Sequence, residues 1–207
     1  MRRQRRTLRV KMRLIVGLGN PGPEYEFTPH NMGFLAVDAL GGRAGIRVTR
    51  PEAKSYVGLG SIAGNEVVLA KPQTMMNLSG AAVRMLLEGY ECKAAEMIVL
   101  SDEAALPWGM LRIRERGSAG GHNGLKSIIA SVGSNEFIRV RLGVKPEYPL
   151  EDMAEYVLHT MRKPEREIAA QMAADAAEAV ELIVAEGADK AMAKYNRRVE
   201  SDEEDSE

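Results

Sequence analysis

Two spacings of apolar residues alternate along this chain. Short runs with the period of a strand occupy 12–18, 55–62, 65–71, 96–101, 110–116 and 138–144. Between them, apolar residues return at helical spacing over 32–44, 78–90, 123–132, 164–186 and 188–196. The clearest stripe is Ile168, Met172, Ala176, Val180 and Ile183, set in a stretch dense in Ala and Glu, which predicts a surface helix. Gly64-Asn65 between two strand-like runs predicts a hairpin, and Asn77 and Ser79 are candidate N-caps for the helix that follows. Strands alternating with helices, plus one hairpin, predict an α/β fold. The expected architecture is a single three-layer domain whose mixed twisted sheet is flanked by helices on both faces. In such folds the loops at the carboxyl ends of strands build the site.

Four loops carry the polar chemistry. The first lies in Leu14 to Gly33, LIVGLGNPGPEYEFTPHNMG, where Pro21, Gly22, Pro23 and Pro29 stiffen a loop that delivers His30 and Asn31 to the start of a helix at Met32. His30 reads as a general base and Asn20 as a polar positioning group beside it. Gly17, Gly19 and Gly22 also spell the glycine fingerprint of dinucleotide binding. Pro21 and Pro23 remove amides that a pyrophosphate would need, and Asp38 falls inside a helix instead of ending a second strand, so a nucleotide-cofactor oxidoreductase is disfavoured. The second loop is KPQTMMNLSG (71–80) and the third is VLSDEAALPWG (99–109), where an apolar strand is expected to end at Asp102. The fourth, GSAGGHNGLKS (117–127), is a Gly-rich turn leading into a helix near Asn123.

Taken together, the blocks GLGNPGPEY, TPHN, KPQTMMNLSG, SDE and GGHNGLK resemble the bacterial peptidyl-tRNA hydrolase family over roughly residues 12–196. That resemblance implies hydrolysis of the ester joining a peptide's C-terminus to the terminal ribose of tRNA, a peptidyl-tRNA recycling step of translation. It assigns His30 as base, Asp102 as its carboxylate partner, and Asn20, Tyr25, Met76, Asn77 and Asn123 to the cleft, with Met76 an apolar wall. The residue types suit the chemistry: an ester has a good leaving group, so water activated by an aimed imidazole can attack with no metal, cofactor or covalent intermediate. A carboxylate fixes the tautomer, and neutral amides such as Asn123 and Asn77 can donate to a developing oxyanion. The resemblance also implies a lid over Pro146–Met161. Two departures stand out: Ala104-Ala105 where the family usually shows a further acidic residue, and Gly117-Ser118-Ala119-Gly120 where it shows a more continuous glycine run. Of the other histidines, His122 is expected to shape its Gly-rich turn, and His159 to lie without partners in a mobile-looking segment.

Composition adds limits. At 207 residues with 45% apolar content the chain suits one core, and no apolar run approaches the ~18 residues that would span a bilayer. Cys92 is the single cysteine, expected to be an inert thiol, and its isolation favours a cytoplasmic setting. The net charge of −1 hides two charged ends: Arg2, Arg3, Arg5, Arg6, Arg9 and Lys11 within 1–11, and Glu200, Asp202, Glu203, Glu204, Asp205 and Glu207 within 197–207. Both are expected to be disordered extensions of the 12–196 domain. Met12 opens the first strand and is an expected alternative start. Arg112, Arg114 and Arg116 alternate on one expected strand face, with Lys126, Arg139, Arg141 and Lys145 nearby in the chain. Of these, Arg112, Arg114, Lys126, Arg141 and Lys145 are expected to hold the phosphates of the tRNA acceptor stem; few aromatics accompany them, which argues against a base-stacking platform. The expected protein is a monomer. An RNA-binding chaperone or ribosome-associated factor without turnover is the alternative, and the His30, Asp102 and Asn123 set speaks against it.

Overall fold

The computed structural model describes residues 12–149 and 152–196, and the expected basic and acidic extensions lie outside them. Its strands are β1 (Arg13–Gly17), β2 (Arg50–Glu52), β3 (Ser55–Ile62), β4 (Asn65–Pro72), β5 (Met97–Pro107), β6 (Leu111–Arg114) and β7 (Ile138–Lys145). They form one sheet in the order β2-β3-β4-β1-β5-β7-β6. The inner four, β4, β1, β5 and β7, are parallel, while β2, β3 and β6 run antiparallel to their neighbours. The helices are α1 (Met32–Ala44), α2 (Ser79–Gly89), α3 (Asn123–Val132), α4 (Met153–Tyr156), α5 (Lys163–Glu186) and α6 (Ala188–Tyr195).

Both faces of the sheet are covered, which explains the uninterrupted apolar runs of the inner strands. Ile15, Leu69, Ile98, Leu100 and Val140 pack on one face against residues of α1, α5 and α6. Leu14, Val16, Val68 and Val99 pack on the other against α2 and α3. The hairpin at Gly64-Asn65 joins β3 to β4, with Gly64 at φ 76°.

Several elements depart from the sequence expectation. β2 carries Arg50-Pro51-Glu52 and no apolar signal; it pairs with β3 at the sheet edge, where the Tyr90 hydroxyl donates to Glu52 Oε2 (2.9 Å). β5 does not end at Asp102. It runs to Pro107 with a register shift against β7 between Glu103 and Pro107, so Ser101, Asp102 and Glu103 are buried polar residues within a strand. β6 stops at Arg114, leaving Arg116 beyond it. Asn77 caps nothing: residues 76–78 form a 3-10 turn, and Ser79 Oγ donates to Met76 O (2.9 Å). The free edge of β6 is satisfied by Asn196, which accepts from Ile113 N–H (2.7 Å) and donates to Ile113 O (2.9 Å).

Two glycines set α1 against the sheet. A Cβ on Gly17 would lie 2.1 Å from Gly33 O, and one on Gly33 would lie 2.4 Å from both Leu18 N and Leu100 O. Gly17 therefore serves backbone-to-backbone packing, a task the dinucleotide fingerprint shares without its phosphate. Gly33→Ala is expected to lose about 3 kcal/mol in denaturant unfolding, the upper part of the overpacking range, because the atoms it meets are backbone. Unchanged stability would contradict so tight an approach.

Candidate active site

The loops after β1 and β4, the outer half of β5 and the N-terminus of α3 converge at one end of the sheet. Asn20 stitches the first two. Its backbone N–H donates to Asn31 Oδ1 (2.8 Å), its carbonyl accepts from Asn31 Nδ2 (2.9 Å), and its own Oδ1 accepts from Met76 N–H (2.7 Å). These bonds fix the loop that ends in the 3-10 turn Pro29–Asn31, where Pro29 presets the first φ. His30, in the middle of that turn, is 9% exposed and donates its backbone N–H to Val157 O (2.9 Å).

At the centre of the site a single carboxylate oxygen receives two imidazoles. His30 Nδ1 and His122 Nε2 each lie 2.9 Å from Asp102 Oδ1, and the two rings are 5.0 Å apart at a 45° tilt. His122 is the N-cap of α3: its Nδ1 accepts from Gly124 N–H (3.1 Å) and Leu125 N–H (3.3 Å). That acceptor role places its ring hydrogen on Nε2, aimed at Asp102. His30 likewise turns Nδ1–H to Asp102, and Nε2 then keeps its lone pair with no partner among the described residues. Asp102 is 4% exposed. Burial alone would raise its carboxyl, but the two imidazoles, His122 first and then His30, outweigh that and hold it well below the usual carboxylate range. The same three side chains offer ligand atoms within 4.8 Å of one another, yet both facing nitrogens already stand at hydrogen-bonding distance from the carboxylate, so a metal has to displace those bonds.

A cavity of about 340 Å³ opens over this group. His30, Asp102, Glu103, His122 and Asn123 form its polar side, and Ala104, Met153, Ala154, Val157 and Leu158 its apolar side. A larger groove of about 560 Å³ lies between α5, α6 and the β3–β4 hairpin, but it is lined by ion-paired residues such as Arg43 and Glu181 and holds none of this chemistry.

The expected site residues are only partly brought together. Asn123 opens α3 with an exposed side chain on the cavity. Asn20 instead lines a separate, more open depression of about 400 Å³, together with Asn31, Lys71 and Gln73. Tyr25 is half-buried, and Asn77 is exposed and lines neither space. Met76 is no cleft wall: it is 4% exposed and lies in the core beneath α3, where a Cβ on Gly124 would meet its Sδ at 2.5 Å. His122 does shape its turn as expected, and it also bonds Asp102, a contact outside that expectation. A histidine directly before a helix start, in a loop facing the Asp102 strand, is the signal that marks it. His159 is not without partners either. It contacts the Tyr156 carbonyl through Nδ1 and Glu165 through Nε2 (3.4 Å). The segment expected to be a lid is anchored over 156–161, where Met161 N–H donates to Phe27 O (2.8 Å) and Tyr156, Val157 and Met161 are buried. Cys92 is buried, with its thiol raised by that burial and then by Glu96, and stands away from these groups.

The basic residues divide. Across the β6–β7 pair Arg112 faces Arg141, and Arg114 faces Arg139, so all four share one face of the sheet. Arg139 is 3% exposed and donates to Ser118 O (2.7 Å) and Asn135 O (3.3 Å), which makes it a staple for the Gly-rich turn. Arg141 is ion-paired with Glu103, and Arg116 lies 3.8 Å from Glu136. Arg112 and Arg114 have no ion pair among the described residues, and Lys126 and Lys145 are exposed.

A family model described as peptidyl-tRNA hydrolase matches residues 14–204. The chain is 51% identical to the peptidyl-tRNA hydrolase of Koribacter versatilis over 197 residues, covering 95% of this chain and 98% of that protein. It is 48% identical to that of Solibacter usitatus, covering 90% and 95%. The crystal structure of peptidyl-tRNA hydrolase from Acinetobacter baumannii superposes with a TM-score of 0.83 at 32% identity, over 90% of this chain and 95% of that one.

The shared carboxylate has a measurable consequence. Because its folded-state value is depressed, Asp102 stabilises the fold above its unfolded value near pH ~4, and that contribution is lost as pH falls through the folded value. Asp102→Asn is expected to cost about 3 kcal/mol at pH 5, the scale of two charge-assisted hydrogen bonds, with the difference from wild type shrinking below pH ~4. Urea unfolding across that range checks it, and a difference independent of pH would contradict it.

Proposed function

The chain belongs to the peptidyl-tRNA hydrolase family and hydrolyses peptidyl-tRNA, and we propose that His30 drives this reaction as a general base oriented by Asp102. The observation that carries the reading is the His30 Nδ1 to Asp102 Oδ1 contact of 2.9 Å, which leaves Nε2 unprotonated beside the cavity. A water between His30 Nε2 and the acyl carbon gives its proton to the imidazole and its oxygen to the carbonyl. Asp102, held ionised, balances the imidazolium as it forms. The exposed amide of Asn123, which lines the cavity, donates to the oxyanion. Collapse of the tetrahedral intermediate breaks the ester bond, and the imidazolium returns its proton to the departing ribose oxygen. Free tRNA and peptide acid result, with no metal, cofactor or covalent intermediate in the balance.

His122 supports this by holding Asp102 from the other side. On the β1 and β4 side, Asn20, Tyr25 and Asn77 are assigned to the peptide portion. Asn20 acts by pinning the backbone of Met76, and Asn77 offers an exposed amide. The nucleic acid is assigned to the opposite side. Arg141 reaches to 3.4 Å from where a Cβ on Gly120 would stand, and Gly120 lines the cavity, so phosphates held by Arg112, Arg114, Lys126, Arg141 and Lys145 bring the 3′ end toward His30. No helix among the described residues is long and apolar enough to cross a membrane. With tRNA as substrate and a lone buried thiol, the assigned setting is the cytoplasm, and the assigned state a monomer.

Release of tRNA from N-blocked aminoacyl-tRNA tests both halves. His30→Ala should lower kcat by about 10²–10⁴-fold with the circular dichroism of the fold unchanged and with EDTA having no effect on the wild type; substantial residual turnover would exclude His30 as base. Reversing Arg112 and Arg114 to Glu, which breaks no ion pair among the described residues, should raise KM roughly tenfold or more and flatten its dependence on salt. An unaltered salt slope would remove these arginines from the RNA surface.

A further inference from the structure

The backbone of His30 is held from behind by a segment that has its own fastening. Val157 O receives the His30 N–H, and Val157 directly follows α4, whose last residue is Tyr156. The Tyr156 hydroxyl accepts a hydrogen bond from Trp108 Nε1 (2.9 Å). Trp108 sits in the turn between β5 and β6, and its backbone N–H donates to Lys145 O on β7 (3.3 Å). Gly109, next in that turn, donates its N–H to Met172 Sδ (3.1 Å) of α5. The turn is therefore rooted in the sheet and in α5, while α4 is a single helical turn capped at its start by Asp152.

We infer that Tyr156, through its bond to Trp108, is a positioning residue for hydrolysis: it holds the Val157 carbonyl where it grips the His30 backbone. Asp102 and Trp108 belong to one strand and the turn that ends it, so the two ends of the His30–Asp102 pair are referenced to the same frame. One arm runs directly, from Asp102 to the imidazole. The other runs from Trp108 through Tyr156 and Val157 to the backbone of His30. Without the second arm the imidazole keeps its carboxylate but loses the fixed origin from which Nε2 is aimed, and a misplacement of even about 1 Å lowers the rate steeply. Tyr156 is 6% exposed and packs in the core under α5, and burial pushes its phenol up, so it stays a neutral acceptor. Below it, Met161 N–H on Phe27 O ties the start of the His30 loop, a contact that Trp108 does not touch. The loop therefore stays folded when the Tyr156 bond is lost, and only the aim of His30 changes.

The inference rests on His30 as base, and the test separates the two. Tyr156→Phe removes one hydroxyl and leaves the ring. Its full-length variant is compared with wild type by amide hydrogen exchange at His30 and by steady-state hydrolysis. Exchange at the His30 amide should accelerate roughly three- to tenfold, the population change that loss of one hydrogen bond brings. At the same time kcat should fall by a similar factor with KM unchanged. Trp108→Phe should give the same kcat, and combining the two should add nothing further. His30 exchange unchanged in Tyr156→Phe would overturn the inference whatever the kinetics. Faster exchange with wild-type kcat would also overturn it, leaving the base reading to stand or fall with His30→Ala. Additive losses in the double variant would show that each residue acts only through its own packing, and would likewise overturn it.

Discussion

One buried carboxylate oxygen accepting from two imidazoles is the constraint around which this end of the molecule is arranged. A strand covered on both faces is a poor place for a charge, because desolvation disfavours the ionised form. Asp102 is tolerated in β5 only since His30 and His122 supply two donors at 2.9 Å. Each partner is in turn fixed elsewhere: His122 by the first amides of α3, and His30 by Val157 O. The network is closed, and removing any member leaves a buried polar group without its partner. Function follows from His30 Nε2, whose lone pair has no partner among the described residues and stands beside the cavity.

Rigidity around that atom comes from backbone approaches that only small residues and short-range hydrogen bonds permit. Gly17 and Gly33 let α1 begin directly on β1 and β5, which sets where the Pro29–Asn31 turn can lie. Asn20 and Asn31 exchange two hydrogen bonds across the loop, and Asn20 reaches on to Met76. These residues sit near the chemistry without joining it. Their contribution is preorganisation, keeping an imidazole aimed before any substrate arrives.

Much of this was legible in the sequence. The alternation of apolar periods predicted a mixed sheet covered on both faces, which is what β1 to β7 and their helices form. The loops carrying His30, Asp102 and Asn123 were visible because polar residues and prolines interrupt apolar runs. What local sequence does not carry is contact across the fold. Asp102 marks the end of an apolar run but not the end of β5, since pairing with β7 carries the strand on through a register shift between Glu103 and Pro107. Residue type alone does not show that Met76 is buried under α3 or Arg139 against the Gly-rich turn, because that depends on packing that no local pattern encodes. His122 carries two roles from one ring, capping α3 and serving Asp102, and local sequence shows only the first. β2 has no apolar residue to announce it, and an edge strand of three residues needs none.

The account depends most directly on which nitrogen of His30 carries the proton in the resting protein. Long-range nitrogen-15 NMR of the histidine rings reports this for each imidazole. A neutral His30 protonated at Nδ1, with Nε2 bare, is the predicted result, and His122 should show the opposite tautomer. A His30 protonated at Nε2 would contradict the account, because the atom assigned to take water's proton would already hold one.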